Sequence, residues 1–293
     1  MEPDELYTLR AQYWLGHYKL CLEEGRSIAR RPMPPHLKLE REEFMLRAHL
    51  ALGQYDKVKN DANGPNAAPG IKALGLHAEY LSSASAGHST IISSLQTLLQ
   101  SSPSTSVQLT ASHIFLQHNQ TRDALQCVHL GTTMEHLAVS LQIYLKMDRL
   151  DLAESQLRLM KQADEDSILT QLSSAYLAIA TGRSTAKDAI HYLNSLSEQY
   201  GPSPMLLNVT AVGYMTMGNY EGAESALSEA QQEGGSVDTL INLVVCYTQM
   251  GKGMDVVGPL LGKLKGEHKE HPFVKGLEMV EGAFEREAGK YAV

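Results

Sequence analysis

A short signature, Gly-x-Tyr-x-x-small, recurs along the chain and constrains its fold more than any other feature. Its clearest copy is Gly218-Asn219-Tyr220-Glu221-Gly222-Ala223. Gly16 with Tyr18 and Cys21, Gly53 with Tyr55 and Val58, and Gly251 with Val256 are further copies. Gly87 with Ile92, Asn119 with Ala124, Asp148 with Ala153 and Ser184 with Ala189 are degraded ones. These eight turn residues have a mean spacing of about 34 residues, the length of one helix-turn-helix unit. Eight units and a short tail account for all 293 residues.

Each unit reads as helix A, a tight turn and helix B. In the clearest unit helix A spans Pro204 to Met217, with Leu207, Ala211 and Tyr214 on one face. Helix B starts at Tyr220 and repeats the spacing with Ala223, Leu227 and Ala230. Ala211 and Ala223 let the pair approach closely, and Tyr214 and Tyr220 fill the space beside them. An aromatic residue recurs just before other turns, at Phe115, Tyr144 and Tyr247. Helix breakers mark the linkers, the longest being Asn60–Gly70. Asp164 reads as a cap for a helix from Ser167, and Pro259 is expected to kink the last helix B or delay its start. A final helix is expected from Pro272 to Ala288. Strand signals are weak. The expected fold is all-α: a right-handed superhelical solenoid of about eight tetratricopeptide-like helix pairs plus a C-terminal capping helix. It reads as one solenoid over 1–293, with 1–165 lining the main groove and 166–293 forming the later repeats.

Net charge is −8 with a pI near 5.8, and no long basic run is present, which argues against nucleic acid as the ligand. The acidic start, Met1-Glu2-Pro3-Asp4-Glu5, lacks the pattern of a signal peptide, and no stretch of 18 apolar residues suggests a membrane span. Cys21, Cys127 and Cys246 are odd in number and far apart, which suggests reduced thiols. His113 and His118 lie five apart and diverge around a helix, while His268 and His271 lack a third ligand. The nucleophile elbow, the phosphate-cradling loop and the dinucleotide fingerprint are all missing. The sequence thus calls for no metal, no cofactor, no small-molecule substrate and no catalytic residue.

The inner stripe of helix A is the more promising surface. Residues ten, six and three before each turn should face a groove suited to a peptide. They are Leu6, Arg10 and Tyr13 in the first unit, and Glu43, Arg47 and Leu50 in the second. The third gives His77, Leu81 and Ala84, and the fourth Leu109, His113 and Leu116. The competing reading is that neighbouring units bury these residues against each other. For Arg10, Tyr13 and Arg47, contact with a partner is the favoured expectation.

Two blocks are too irregular for a generic repeat. One runs from Leu145-Lys146-Met147-Asp148-Arg149-Leu150-Asp151-Leu152-Ala153-Glu154 to Ala180-Thr181-Gly182, and the other from Asp238-Thr239-Leu240-Ile241-Asn242 to His271-Pro272-Phe273. With the opening Tyr13-Trp14-Leu15-Gly16-x-Tyr18, they make the chain resemble the epsilon-subunit family of coatomer, the COPI vesicle coat. The resemblance covers essentially the full length and departs at Asn60–Gly70 and Gly253–Pro259. It implies a non-enzymatic subunit of a heteroheptameric coat that clasps the C-terminal region of the alpha subunit. It also implies a place in the cytoplasm and peripherally on Golgi membranes, supporting retrograde traffic to the endoplasmic reticulum and transport within the Golgi. The alternatives are another repeat adaptor or co-chaperone that clamps a peptide carboxylate, and an enzyme on a helical scaffold.

Overall fold

The computed structural model describes residues 4–64, 67–83 and 87–291. Among these the chain forms seventeen α-helices and a 3-10 turn at Ile28–Arg30, with no strand. The first helices are α1 (Tyr7–Trp14), α2 (Tyr18–Ser27), α3 (Pro35–Ala51), α4 (Tyr55–Ala62), α5 (Pro69–Ser82) and α6 (His88–Ser101). Then come α7 (Thr105–Gln117), α8 (Thr121–Val128), α9 (Met134–Lys146), α10 (Leu150–Ala163) and α11 (Ile168–Thr181). The remainder are α12 (Ala186–Tyr200), α13 (Pro204–Met217), α14 (Tyr220–Gln232), α15 (Val237–Gln249), α16 (Met254–Glu267) and α17 (Pro272–Ala288). Backbone packing divides the chain into two compact units, residues 1–181 and 182–293.

The turn signature has a definite backbone meaning. Gly16, Gly53, Asn119, Asp148, Gly218 and Gly251 all take positive φ, between 57° and 81°. At each, the next N–H donates back to a carbonyl five residues earlier, as Asn219 does to Tyr214 at 2.9 Å and Arg149 to Tyr144 at 2.9 Å. The turn residue itself donates to the carbonyl three residues before it, as Gly218 does to Met215. This is the Schellman closure, which satisfies carbonyls that a helix end would leave unpaired. Phe115, Tyr144, Tyr214 and Tyr247 supply the first of these carbonyls, so the recurrent aromatic and the turn belong to one motif. Two expected turns differ. Gly87 has φ of −86° and caps α6, and at the sixth turn Gly182, not Ser184, takes positive φ.

In the first unit, helices A pack on one another in sequence: α1 on α3, α3 on α5, α5 on α7, α7 on α9 and α9 on α11. α11 then returns to pack on α1, so the six helices A form a closed ring inside the outer helices α2, α4, α6, α8 and α10. Small and aliphatic side chains fill the space between layers, with Ala48, Ala73, Ala111, Ala124 and Ala153 essentially inaccessible. The expected subdivision at residue 165 precedes α11, whereas packing divides the chain after it, because α11 closes this ring. Asp164 caps as expected: its Oδ1 accepts from the N–H of Asp166 and of Ser167 at 3.1 Å.

In the second unit α13 and α14 meet where expected. Ala211, Ala223 and Leu227 are fully buried, with Tyr214 and Tyr220 packed beside them. Asn208 donates to Thr239 Oγ1 at 2.8 Å and accepts from Asn242 at 3.1 Å, tying α13 to α15. The expected late start at Pro259 is corrected: α16 begins at Met254 and continues through the proline. Buried Val257 and Leu264 anchor the helix on both sides of it, which offsets the missing backbone bond. α17 is held at its start by Val274 and Phe273, while Met279, Val280 and Phe284 stay exposed.

Candidate partner-binding site

The centre of the first unit is built from long side chains that cross the ring. Glu135 occupies the first turn of α9, where the helix dipole favours an anion, and Thr133 caps that turn. Trp14, the single tryptophan, donates its Nε1–H to Glu135 at 2.8 Å from α1. Arg47 of α3 donates to both carboxylate oxygens of Glu135, at 3.0 and 3.1 Å, and lies 5.0 Å from the Phe44 ring centre. Three helices far apart in sequence are thereby tied at one point. Burial by itself would raise the Glu135 pKa, but Arg47 and the Trp14 bond outweigh it and hold the carboxyl below its ordinary value. Burial opposes the Arg47 charge, and Glu135 with Tyr13 and Glu43 together more than compensate, so the guanidinium is held more firmly protonated.

Beside this tie lies a cleft of about 320 Å³, lined by Arg10, Trp14, Glu40, Glu43, Phe44, Arg47, Thr105, Ser106, Leu109, Thr133, Met134 and Glu135. Every lining residue belongs to a helix A of the ring or to the capped start of one. Arg10 is paired with Asp4 at 2.6 Å and with Glu40 at 2.7 Å. Glu43 is different. It is 9% exposed, and no ion pair to it occurs among the described residues. Burial raises its pKa, with Ser106 and Arg47 opposing. The Ser106 hydroxyl turns toward the carboxylate and helps hold its pKa down, and no well-formed hydrogen bond satisfies this buried Oγ. Gly70 makes room for both groups, since a methyl group on it would overlap Glu43 Oε1 and lie 2.7 Å from Ser106 Oγ.

The structure sorts the expected groove residues by what they touch. Arg10, Glu43, Arg47 and Leu109 line the cleft. Tyr13 is a ring-packed side chain, 5.3 Å from Phe44 and 5.8 Å from Tyr18 between centres, and burial raises its pKa. Leu6 and Leu50 are corrected: both are core residues, at 0% and 7% exposure, Leu6 at the cap that precedes α1 and Leu50 in the last turn of α3. Leu116 packs half-buried on the core of α7 and α8, and Leu81 is exposed. Ala84 lies outside the described residues. His113 is solvent-exposed on α7, and protein walls around it together with the positive Arg47 lower its pKa. His77 bonds Gln117 at 3.3 Å, and burial foremost, then His113, lowers its pKa to about 4. Arg10, Tyr13 and Arg47, expected to await a partner, all have partners within the chain.

Sequence reasoning missed Glu135, Glu40, Phe44 and Ser106. An acid in a first helical turn and a serine within a helix are too common to single out. Their importance comes from ring closure, which brings α9 and α7 beside α1 and α3.

Comparison with known proteins places this architecture in context. Residues 2–292 match the family described as "Coatomer epsilon subunit". The chain is 37% identical to "Coatomer subunit epsilon-1" of Arabidopsis thaliana, covering 99% of this chain and 98% of that one. It is 31% identical to "Coatomer subunit epsilon" of Dictyostelium discoideum, covering 97% and 98%. Among solved structures it is similar to a tetratricopeptide repeat protein from Parabacteroides merdae, with a TM-score of 0.56 at 12% identity over 93% of this chain and 95% of the other. That likeness bears on the fold alone.

Proposed function

The chain belongs to the coatomer epsilon-subunit family, and on that premise we propose that it clasps the C-terminal region of the coatomer alpha subunit as a non-enzymatic scaffold. The inner face of the first unit is its docking surface. In this reading it stabilises the alpha subunit within the COPI coat and supports Golgi-to-ER retrograde and intra-Golgi transport. It moves between the cytoplasm and the Golgi surface. No helix among the described residues is long and apolar enough to cross a membrane, and the proposed Golgi association runs through the coat.

The observation that carries this reading is the cleft inside the ring of helices A, where aromatic walls and charged groups from three helices, α1, α3 and α9, converge beside α7. A concave surface of that kind, built on a repeat scaffold, suits capture of a polypeptide segment. The carboxylate clamp of a co-chaperone finds no support in it. Both guanidiniums of the cleft are already paired, and carboxylates outnumber them. Affinity purification of the tagged full chain from cytosol tests the proposal. The expected result is the other coat subunits in near-equal amounts, alpha included; recovery of coat subunits without alpha would overturn it.

A further inference from the structure

The charges of the cleft do not balance. Arg10 has two carboxylates, Asp4 and Glu40, and Arg47 is engaged by Glu135. Glu43 is left without a cation of its own, over nine-tenths buried, beside the equally buried and unpartnered hydroxyl of Ser106. Glu40 and Glu135 add further negative potential at Glu43, which Arg47 partly offsets. A buried carboxylate without a counter-ion costs stability, and so does a buried hydroxyl without a partner. The two groups come from different helices, α3 and α7, and converge over Gly70, whose missing side chain gives them room. The neighbouring walls are the rings of Trp14 and Phe44 and the side chains of Leu109 and Met134. Such walls accept the aliphatic stem of a long basic side chain and the face of its cation.

We propose that the cleft receives a lysine or arginine side chain projected by the polypeptide bound on the inner face, with Glu43 as its counter-ion and Ser106 Oγ as a second acceptor. This rests on the docking reading above and adds the chemistry of the anchor. The occupant is a side chain of the bound polypeptide because the cleft is walled by helices A of the ring, and its volume, about 320 Å³, lies at the small end of ligand-sized sites and cannot hold a folded element.

The test pairs stability with capture, using the full chain and the intact coatomer alpha subunit as probe. Glu43→Gln preserves shape and removes the unpaired charge, so the free variant should melt at the wild-type temperature or higher. It should nevertheless displace labelled wild-type chain from alpha at least about 30-fold less well, the low end for losing one partner of a buried charge pair. Ser106→Ala should weaken capture by a smaller factor, about two- to fivefold. Replacing alpha's lysines and arginines singly with methionine should reveal one position whose effect vanishes in the Glu43→Gln background. If Glu43→Gln competes as well as wild type, or melts lower, the anchor is wrong while the docking reading stands. The anchor is also wrong if no basic residue of alpha couples to Glu43. If the wild-type chain does not bind alpha, both fall together.

Discussion

Arg47 and Glu135 show how one ion pair can hold a ring shut. Their side chains are 11% and 20% exposed, so water reaches them slightly and the pair is not wholly desolvated. Removing one partner of a fully buried pair costs about 3–5 kcal/mol, and the residual hydration lowers that here. Arg47→Met should therefore cost about 2–3 kcal/mol in urea unfolding, read through Trp14 fluorescence. A double replacement that removes both charges but keeps an acceptor for Trp14, Arg47→Met with Glu135→Gln, should recover most of the loss. The titration of the inner face has an equally definite sign. The folded-state pKa of His77 falls from 6.5 to about 4, chiefly by burial, so its contribution is fully present above pH 6.5 and is lost as pH falls toward 4. His136, shifted down by burial first, and His113, shifted down by the protein walls around it and by Arg47, act in the same direction. The raised pKa of Glu43 acts oppositely, giving stability at low pH that is lost as pH rises above the ordinary 4.5. Melting temperature measured from pH 7 to 4 should fall, and His77→Gln should flatten that fall.

At the scale of the element, the turns were the most legible part of the sequence, and for a local reason. A Schellman closure is decided by one left-handed residue and the five before it, so glycine and the preceding aromatic can be read without tertiary knowledge. Asn119 and Asp148 are the informative cases. They adopt φ of 60° and 57° where other units use glycine, and short polar side chains tolerate that region best. Asp148→Val should cost about 1–2 kcal/mol, whereas Asp148→Gly should match wild type or exceed it, as thermal melts would show. Leu6 and Leu50 were misplaced because fixed offsets ignore where a helix begins and which way its last turn faces: Leu6 precedes α1 as its cap, and Leu50 ends α3 against the core. The contact of α3 with α5 through Gly70 was not legible, since nothing local marks Gly70 as the floor beneath Glu43. Gly70→Ala should destabilise the chain measurably, and Glu43→Ala in the same molecule should restore much of the loss. Equal destabilisation in both backgrounds would show that the overlap is not its cause.

For the whole molecule, period and composition foretold an all-α repeat protein, and residues 2–292 carry its family signature. Closure of the first unit could not be foretold, because it depends on small rotations summed over five helix pairs. That closure turns a row of side chains into a cleft, placing Glu135 of α9 against Trp14 of α1. In the proposed mode the alpha subunit docks on this inner face and not on the outer helices. Competition for intact coatomer alpha by two exposed charge variants of the full chain tests it most directly. His113→Glu alters the inner face on α7, and Arg122→Glu alters the outer helix α8. His113→Glu should lose at least about tenfold in affinity, and Arg122→Glu should stay within about twofold of wild type. Loss at Arg122 with wild-type binding at His113 would contradict it.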